Sequence, residues 1–374
     1  MKIAIDARGV NWYKGTGIGT YTENILKQLL KIDIENSYHI YWSGDNYDSY
    51  NNESSKIIMT SRKHRRFFQQ YYFPNDLRKE NIDLFHVPQN GIGLSSEVDC
   101  KKVITIHDLI PYVMPETVGK GYLSEFLREV PQLIENCDGI LTVSEKSKRD
   151  ILKYFPVDEN KIFVTPLAAD RKYKPLDKEK CKLSVQKSFN IDKPYILYIG
   201  GFSPRKNLRS LILAFSKLYK DLNCEYNLVI VGSLKDESST LMKLCYDLNM
   251  DSKIIFTGFV EEEQLPVLYN AAEVFVYPSF YEGFGLPPLE AMSCGTPVIA
   301  SNTSSIPEVV QNSGILIDPY DTDSLVTALG KVLSNESIKA TLSKSALKKS
   351  SEFSWESTAL KTLNSYKSIV EKAL

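Results

Sequence analysis

Between Ala272 and Ala300 the chain passes through an apolar stretch, a glycine loop, a proline-led stretch and a second apolar stretch, an order that few folds accommodate. Ala272-Glu-Val-Phe-Val-Tyr277 is β-branched and aromatic, as a buried strand requires, and Pro278 closes it. Pro287 and Pro288 suit the first turn of a helix, where a missing N–H is harmless. Gly295 and Pro297 then stop that helix ahead of the strand Val298-Ile-Ala300. Glu282 therefore falls in the loop and Glu290 on the helix. Gly283 and Gly285 carry no side chain, so the loop can offer backbone N–H groups to an anion at the positive end of the helix. A phosphate seat flanked by two carboxylates makes chemical sense when each acid grips hydroxyl groups, as the sugar and the ribose of a nucleotide sugar would provide. The same pattern also fits a plain strand-loop-helix unit whose acids are solvated or capping.

The 374 residues predict about two domains, each large enough for its own core. A net charge of -1 argues against a general nucleic-acid binder. No apolar run approaches the ~20 residues that cross a bilayer. The start, Met-Lys-Ile-Ala-Ile-Asp-Ala-Arg, turns polar too early for a signal peptide and reads as a first strand. Cys100, Cys137, Cys181, Cys224, Cys245 and Cys294 form no C-x-x-C pair and no metal spacing with His, and are expected to be reduced thiols of a cytoplasmic protein.

Along the first half, Gly15-Thr-Gly-Ile-Gly-Thr-Tyr21 stands between the strand Lys2–Asp6 and an amphipathic helix expected from about Thr22 to Leu30. Arg62 to Phe73 joins five basic or potentially basic residues to five aromatics, a pattern that suits either a helix with a core side or the surface of an anionic membrane. Val103-Ile-Thr-Ile-His-Asp-Leu-Ile110 puts His107 and Asp108 at the carboxyl end of a strong strand, where open α/β sheets bind ligands. There His107 is suited to a sugar hydroxyl or a developing charge, with Asp108 toward an acceptor; a lone His at a strand end also serves structure. His86 is read as structural or acceptor-side.

The lysine-rich segment from Arg171 to Lys193 marks the linker, after which Pro194-Tyr-Ile-Leu-Tyr-Ile-Gly200 restarts the βα pattern. Gly201-Phe-Ser-Pro-Arg-Lys-Asn207 leads into the helix Leu208–Leu222, so Arg205 and Lys206 would meet a diphosphate with both charge and backbone dipole. Asp321-x-Asp323 has the spacing of a metal-bound nucleotide site. It directly precedes a helix, however, and capping explains it more simply.

The run Tyr-Glu-Gly-Phe-Gly-Leu-Pro-Pro-Leu-Glu-Ala-Met-Ser-Cys-Gly-Thr-Pro-Val, with Glu282-x7-Glu290, resembles the signature of the retaining GT-B glycosyltransferases of family 4. Thr-Ile-His-Asp-Leu-Ile-Pro and Pro-Arg-Lys-Asn-Leu are similar to that family too, and look most like its bacterial mannosyltransferases of surface-polysaccharide synthesis. The resemblance implies two facing Rossmann-like doubly wound domains with a cleft between them: an acceptor domain over 1–172, rejoined by a final helix at about 357–374, and a nucleotide-sugar domain over 173–356. It implies that Glu282 sits by the donor sugar, that Gly283, Phe284, Gly285 and Leu286 approach the diphosphate, and that Glu290 binds the ribose. His107 would contact the transferred sugar, with Asp108 beside it. Backbone near Gly17 would approach the donor phosphate or the acceptor, and Gly258-Phe-Val260 would hold the base by main chain, Val260 included. Gly201 departs from the pattern, since many members carry Arg there, and this shifts weight onto Arg205 and Lys206.

The reaction so implied is transfer of a hexose with retention, by front-side displacement assisted by the leaving diphosphate. The expected donor is GDP-mannose, with no cofactor and no required metal, and the expected acceptor a glycan or lipid-linked sugar at the inner face of a membrane. A UDP- or dTDP-sugar transferase and a non-catalytic nucleotide-sugar-binding protein are the alternatives. A nicotinamide dehydrogenase is disfavoured, because neither Gly15-Thr-Gly-Ile-Gly nor Gly200-Gly-Phe-Ser has the dinucleotide fingerprint with its acidic partner.

Overall fold

Short apolar runs that recur between amphipathic stretches become parallel strands, because each strand is buried on both faces and each return is made by a helix or a long connection. The computed structural model describes residues 1–222, 226–234 and 237–371. They divide into two units, residues 1–167 with the C-terminal segment from Ser354, and Ala168–Phe353.

The first unit contains β1 (Lys2–Asp6), β2 (Ser37–Trp42), β3 (Ser55–Met59), β4 (Leu84–Val87), β5 (Lys101–Ile106), β6 (Gly139–Thr142) and β7 (Ile162–Val164). Their order is β3-β2-β1-β4-β5-β6-β7, and every pairing is parallel. The second unit contains β8 (Tyr195–Ile199), β9 (Asn227–Val231), β10 (Ile254–Gly258), β11 (Val274–Tyr277), β12 (Val298–Ser301) and β13 (Ile315–Ile317). It is ordered β10-β9-β8-β11-β12-β13, again wholly parallel. In both sheets the strand order reverses next to the first strand, between β1 and β4 and between β8 and β11. In open parallel sheets the loops leaving the carboxyl ends of strands diverge at such a reversal, which is where ligands are taken.

Several boundaries differ from the sequence reading. The first long helix spans Gly17–Ile32, so it starts five residues earlier than expected and takes in Gly17 and Gly19 of the glycine run. Thr16 caps it by accepting from the Gly19 N–H at 3.4 Å. Gly15 has φ +75, and a Cβ on Gly19 would lie 2.3 Å from the Tyr13 carbonyl oxygen, so both glycines are required by the turn itself. β5 ends at Ile106, which leaves His107 and Asp108 just beyond the strand. β3 is an edge strand whose apolar run is only Ile57-Ile58-Met59 and in which only Ile58 is buried, which hid it from a periodicity reading.

The closing helix Trp355–Glu371 belongs to the first unit. Thr358 donates to the Pro166 carbonyl at 2.6 Å, and the Tyr366 hydroxyl bonds His86 Nδ1 at 2.7 Å. Gly139 makes room for it, since a Cβ there would meet Ile369 Cδ1 at 2.2 Å. His86 Nε2 also bonds Thr105 Oγ1 at 2.7 Å, and burial pushes its imidazole down to about 3. His86 is thus a neutral strut between sheet and helix. Cys100, Cys137, Cys181, Cys245 and Cys294 are free thiols, and Cys224 lies outside the described residues. Among the described residues no helix is long and apolar enough to cross a membrane.

Candidate active site

The loops after β8 and β11 flank the reversal of the second sheet and carry the residues of the clearest cluster. Pro204–Lys206 forms one 3-10 turn, and Asn207 in the left-handed region ends it before the helix Leu208–Leu222. Asn207 Nδ2 then donates to the carbonyls of Pro278 and Pro319 at 3.1 and 2.8 Å, and Phe280 N–H donates to the Arg205 carbonyl at 2.9 Å. The two loops are therefore fixed to each other by backbone and amide bonds.

That lacing brings Arg205, Lys206 and Glu282 together. Arg205 Nη1 is 2.8 Å and Lys206 Nζ 2.7 Å from the same oxygen, Glu282 Oε1. Lys206 Nζ also donates to the Tyr277 hydroxyl at 2.6 Å, and Arg205 Nη1 to the Tyr281 carbonyl at 2.5 Å. The Glu282 backbone is pinned in turn: Ser304 and Ser305 donate to its carbonyl at 2.5 and 2.9 Å. Burial alone would raise the Glu282 carboxyl, but Arg205 and Lys206 overcome it and hold the group down to about 2. Two cations against one carboxylate leave a net single positive charge in a nearly dry pocket.

Glu290 lies eight residues further on, along the helix Leu286–Ser293, and has different surroundings. It is half-buried and accepts from the Tyr269 hydroxyl at 2.9 Å. Burial raises its carboxyl to about 7; the hydrogen bond of Tyr269, the charge of Lys172 and the nearby Tyr173 pull the other way without prevailing.

Gly285 precedes this helix at φ 120, and a Cβ there would meet Ile306 Cδ1 at 2.8 Å, so both backbone and packing demand glycine. Gly283 and Phe284 are buried in the same loop. Phe284 packs edge-on against Phe353, and its carbonyl accepts from Ser305. Leu286 opens the helix with Pro287 and Pro288 behind it, as the sequence predicts. The space around Gly201 is open, with nothing within 4 Å of where a Cβ would stand. After Gly258, Phe259 is 65% exposed while Val260 is buried. Asp321 accepts from the Asp323 N–H at 2.9 Å at the start of the helix Thr322–Leu333, which is a cap. Among the described residues no three acids, cysteines or histidines gather as a metal site.

Gly17, His107 and Asp108 lie in the first unit. Gly17 is the first residue of its helix. His107 is buried, its N–H donates to Asn90 Oδ1, and its Nε2 lies 2.9 Å from the Pro88 carbonyl, so Nε2 carries a proton. Burial pushes this imidazole down to about 4, leaving a neutral ring with Nδ1 as its acceptor. Asp108 accepts from the Ile110 N–H at 3.0 Å and starts the next turn.

Tyr269, Tyr277, Asn207, Ser304 and Ser305 escaped the sequence reading. Each acts through a contact at least 21 residues away in sequence, and no local pattern distinguishes such a Tyr from a core aromatic.

Residues 180–349 match the family Glycosyl transferases group 1, and residues 15–173 match Glycosyltransferase Family 4. An Escherichia coli protein named O-antigen chain mannosyltransferase B is 32% identical over 98% of this chain and 100% of its own length. A serotype-specific mannosyltransferase WbdA, also from Escherichia coli, is 31% identical over 71% of this chain, which spans only 33% of that longer protein. Among solved structures, sucrose-phosphate synthase from Thermosynechococcus elongatus aligns with TM-score 0.79 at 21% identity over the whole of both chains. Anabaena HepE, solved in complex with UDP and glucose, aligns with TM-score 0.77 at 18% identity over 98% of this chain and 100% of that one. The fold is that of the GT-B glycosyltransferases, and the chain belongs to glycosyltransferase family 4, in group 1.

Proposed function

We propose that the chain transfers mannose from GDP-mannose, with retention, to a glycan or lipid-linked acceptor in surface-polysaccharide synthesis. The observation that carries this reading is the likeness to an O-antigen chain mannosyltransferase over 98% of this chain and 100% of that one. The geometry supports it. As the bond to the donor sugar breaks, negative charge grows on the leaving diphosphate, and the pocket of Arg205, Lys206 and Glu282 already holds one net positive charge before any ligand arrives. Glu282 keeps both cations in position, so little reorganisation is needed at the moment of reaction. Lys206 and Arg205 thereby supply the charge that a metal provides elsewhere, and no metal is assigned.

The start of the helix Leu286–Ser293, with Gly283, Phe284 and Gly285 before it, is assigned to the diphosphate, and Glu290 to the ribose hydroxyls. Gly201 and Val260 border the donor, the latter at the base. In the first unit His107, held neutral, is suited to accept from a sugar hydroxyl through Nδ1, while Asp108 and Gly17 are assigned to the reacting groups. The segment Arg62–Phe73 is the surface proposed to meet the inner face of a membrane, because Phe67 and Tyr71 stand 54 and 62% exposed among its basic residues. Sedimentation with anionic vesicles tests that contact, and Phe67→Ser with Tyr71→Ser should release the protein.

A melting panel with GDP-, UDP-, dTDP- and ADP-sugars tests the donor, since a ligand of the folded state raises its stability by mass action. GDP-mannose should give the largest shift, and Lys206→Ala should abolish it. A larger shift with a UDP- or dTDP-sugar would replace the donor; binding without transfer to any mannan-type acceptor would replace catalysis by mere binding.

A further inference from the structure

His107 stands just past β5, but most of what holds it comes from the turn after β4. Its ring Nε2–H donates to the Pro88 carbonyl and its backbone N–H to the side-chain oxygen of Asn90, both at 2.9 Å. The His107 carbonyl accepts from the Ser147 hydroxyl at 3.1 Å, and the Tyr21 ring meets the imidazole edge-on with centroids 4.9 Å apart. Every polar group of His107 is thus engaged except Nδ1, which has no hydrogen-bond partner among the described residues.

Asn90 is the unusual member of this set. It is 2% exposed, and its φ of 53 lies in the left-handed region, which a residue with a Cβ adopts at a cost and Asn tolerates better than most. Gly91 follows at φ 69, and a Cβ there would meet Ile104 Cγ2 at 2.8 Å, so the turn lies hard against the strand that leads to His107. A backbone N–H can only donate, so the Asn90 amide turns its oxygen to His107. Its NH2 then faces the Tyr122 hydroxyl, 2.8 Å away on the helix Lys120–Asn136. Glycine would suit the backbone angle better; what Asn adds is this pair of bonds. A disfavoured backbone state with both ends of a buried amide committed is the arrangement of a residue that places another. The group it places is His107, whose imidazole moves with any shift of its backbone.

We propose that Asn90 is a positioning residue for sugar transfer: tied to Tyr122, it fixes the His107 backbone so that Nδ1 is held in one place as the acceptor for a hydroxyl of the transferred sugar. This rests on the glycosyl-transfer reading and on the role of His107 within it. A double-mutant cycle of Asn90→Gly and His107→Ala in the full chain tests it, with turnover read as release of GDP from GDP-mannose in the presence of an α-mannan oligosaccharide. Asn90→Gly should lower kcat by about tenfold to a hundredfold, the scale of displacing a catalytic contact by about 1 Å, and leave the donor KM near its wild-type value. In the His107→Ala background the same substitution should cost nothing further, since the contact it serves is gone. The imidazole 15N resonances of His107, of the Nε2–H form in the wild type, should shift or split in Asn90→Gly. Glycine suits the backbone angle, so the fold should survive. Tyr122→Phe removes only the hydroxyl that the Asn90 amide holds, and gives the same signs at about threefold to tenfold if the glycine variant does not fold. The proposal is overturned by wild-type kcat in Asn90→Gly, by losses that multiply in the double variant, or by unchanged His107 resonances, each of which would make Asn90 a loop anchor and no more. A wild type that releases no GDP would instead overturn the reading beneath, and the His107 resonances would still decide whether Asn90 fixes the imidazole.

Discussion

The two ends of one loop-helix segment treat a buried carboxylate in opposite ways. Glu282 is met by two cations and held ionised down to about 2, whereas Glu290 is met by phenolic hydroxyls and raised to about 7. Eight residues separate them, and both lose solvent. The difference lies in what each neighbouring loop delivers: the turn after β8 brings Arg205 and Lys206 to Glu282, while the helix Leu265–Ala271 brings only Tyr269 to Glu290. A carboxylate clamped between cations organises charge before a ligand arrives. One kept near neutrality has unsatisfied demand, which hydroxyl groups of a ligand can meet.

The largest effect expected at the first end is catalytic. Lys206→Ala removes a contact to Glu282 and to Tyr277, yet leaves Arg205 on the carboxylate. Turnover should fall by about 10²–10³, the scale for losing one preorganised group aimed at developing charge. Stability should fall by only ~1–2 kcal/mol, since the carboxylate keeps a partner. Paired turnover and melting measurements check this, and near-normal turnover would remove Lys206 from the reaction.

The next effect separates the two acids by sign. Glu282 has a folded pKa below its usual 4.5, so its stabilisation is complete above about 4.5 and is lost as pH falls toward 2. Glu290 has a folded pKa above 4.5, so its contribution is complete below about 4.5 and is lost as pH rises through 7. Glu282→Gln should therefore destabilise the protein at neutral pH by roughly 1–3 kcal/mol, a difference that vanishes in acid. Glu290→Gln should do the reverse, gaining on the wild type as pH climbs from about 4.5 to 7 by on the order of 1–3 kcal/mol. Urea melts from about pH 2 to 8 decide it; parallel curves for the two variants would erase the contrast.

How far this contrast was legible before the structure depends on chain separation. Gly285 and the helix start at Leu286 follow from local chemistry, glycine before proline, and the structure begins that helix there. The closeness of Arg205 and Lys206 to Glu282 spans more than 70 residues and rested on a family resemblance. Tyr269 and Tyr277 were invisible, because a Tyr in a buried helix or strand reads as core whether or not its hydroxyl faces an acid. At the first unit the glycine run suggested a ligand loop, yet Gly15 and Gly19 answer to backbone angle and to the Tyr13 carbonyl. Arg8 passed unnoticed in the first strand's wake, since nothing local tells that its guanidinium is wholly buried.

The smallest effect tests whether hydroxyl partners alone set the state of Glu290. Tyr269 donates to Oε2 at 2.9 Å, and such a bond favours the ionised carboxylate. Tyr269→Phe keeps the ring, which packs on Tyr173 and Phe275, and removes only the donor. Burial then acts with less opposition, and the Glu290 carboxyl should move further above 7. If the ionised form is what grips the ribose, donor affinity in the wild type should rise with pH through about 7 and be flat in Glu290→Gln. In Tyr269→Phe the midpoint should shift upward, with affinity at neutral pH reduced by about threefold to tenfold, the scale of one hydrogen bond. Tyr173 also lowers the same carboxyl, which keeps the effect at the low end. Donor titrations of the three proteins from about pH 5.5 to 8.5 read the shift directly. An unmoved midpoint would mean that burial alone governs Glu290, and that what distinguishes the two acids is the two cations at Glu282 and nothing at the other end.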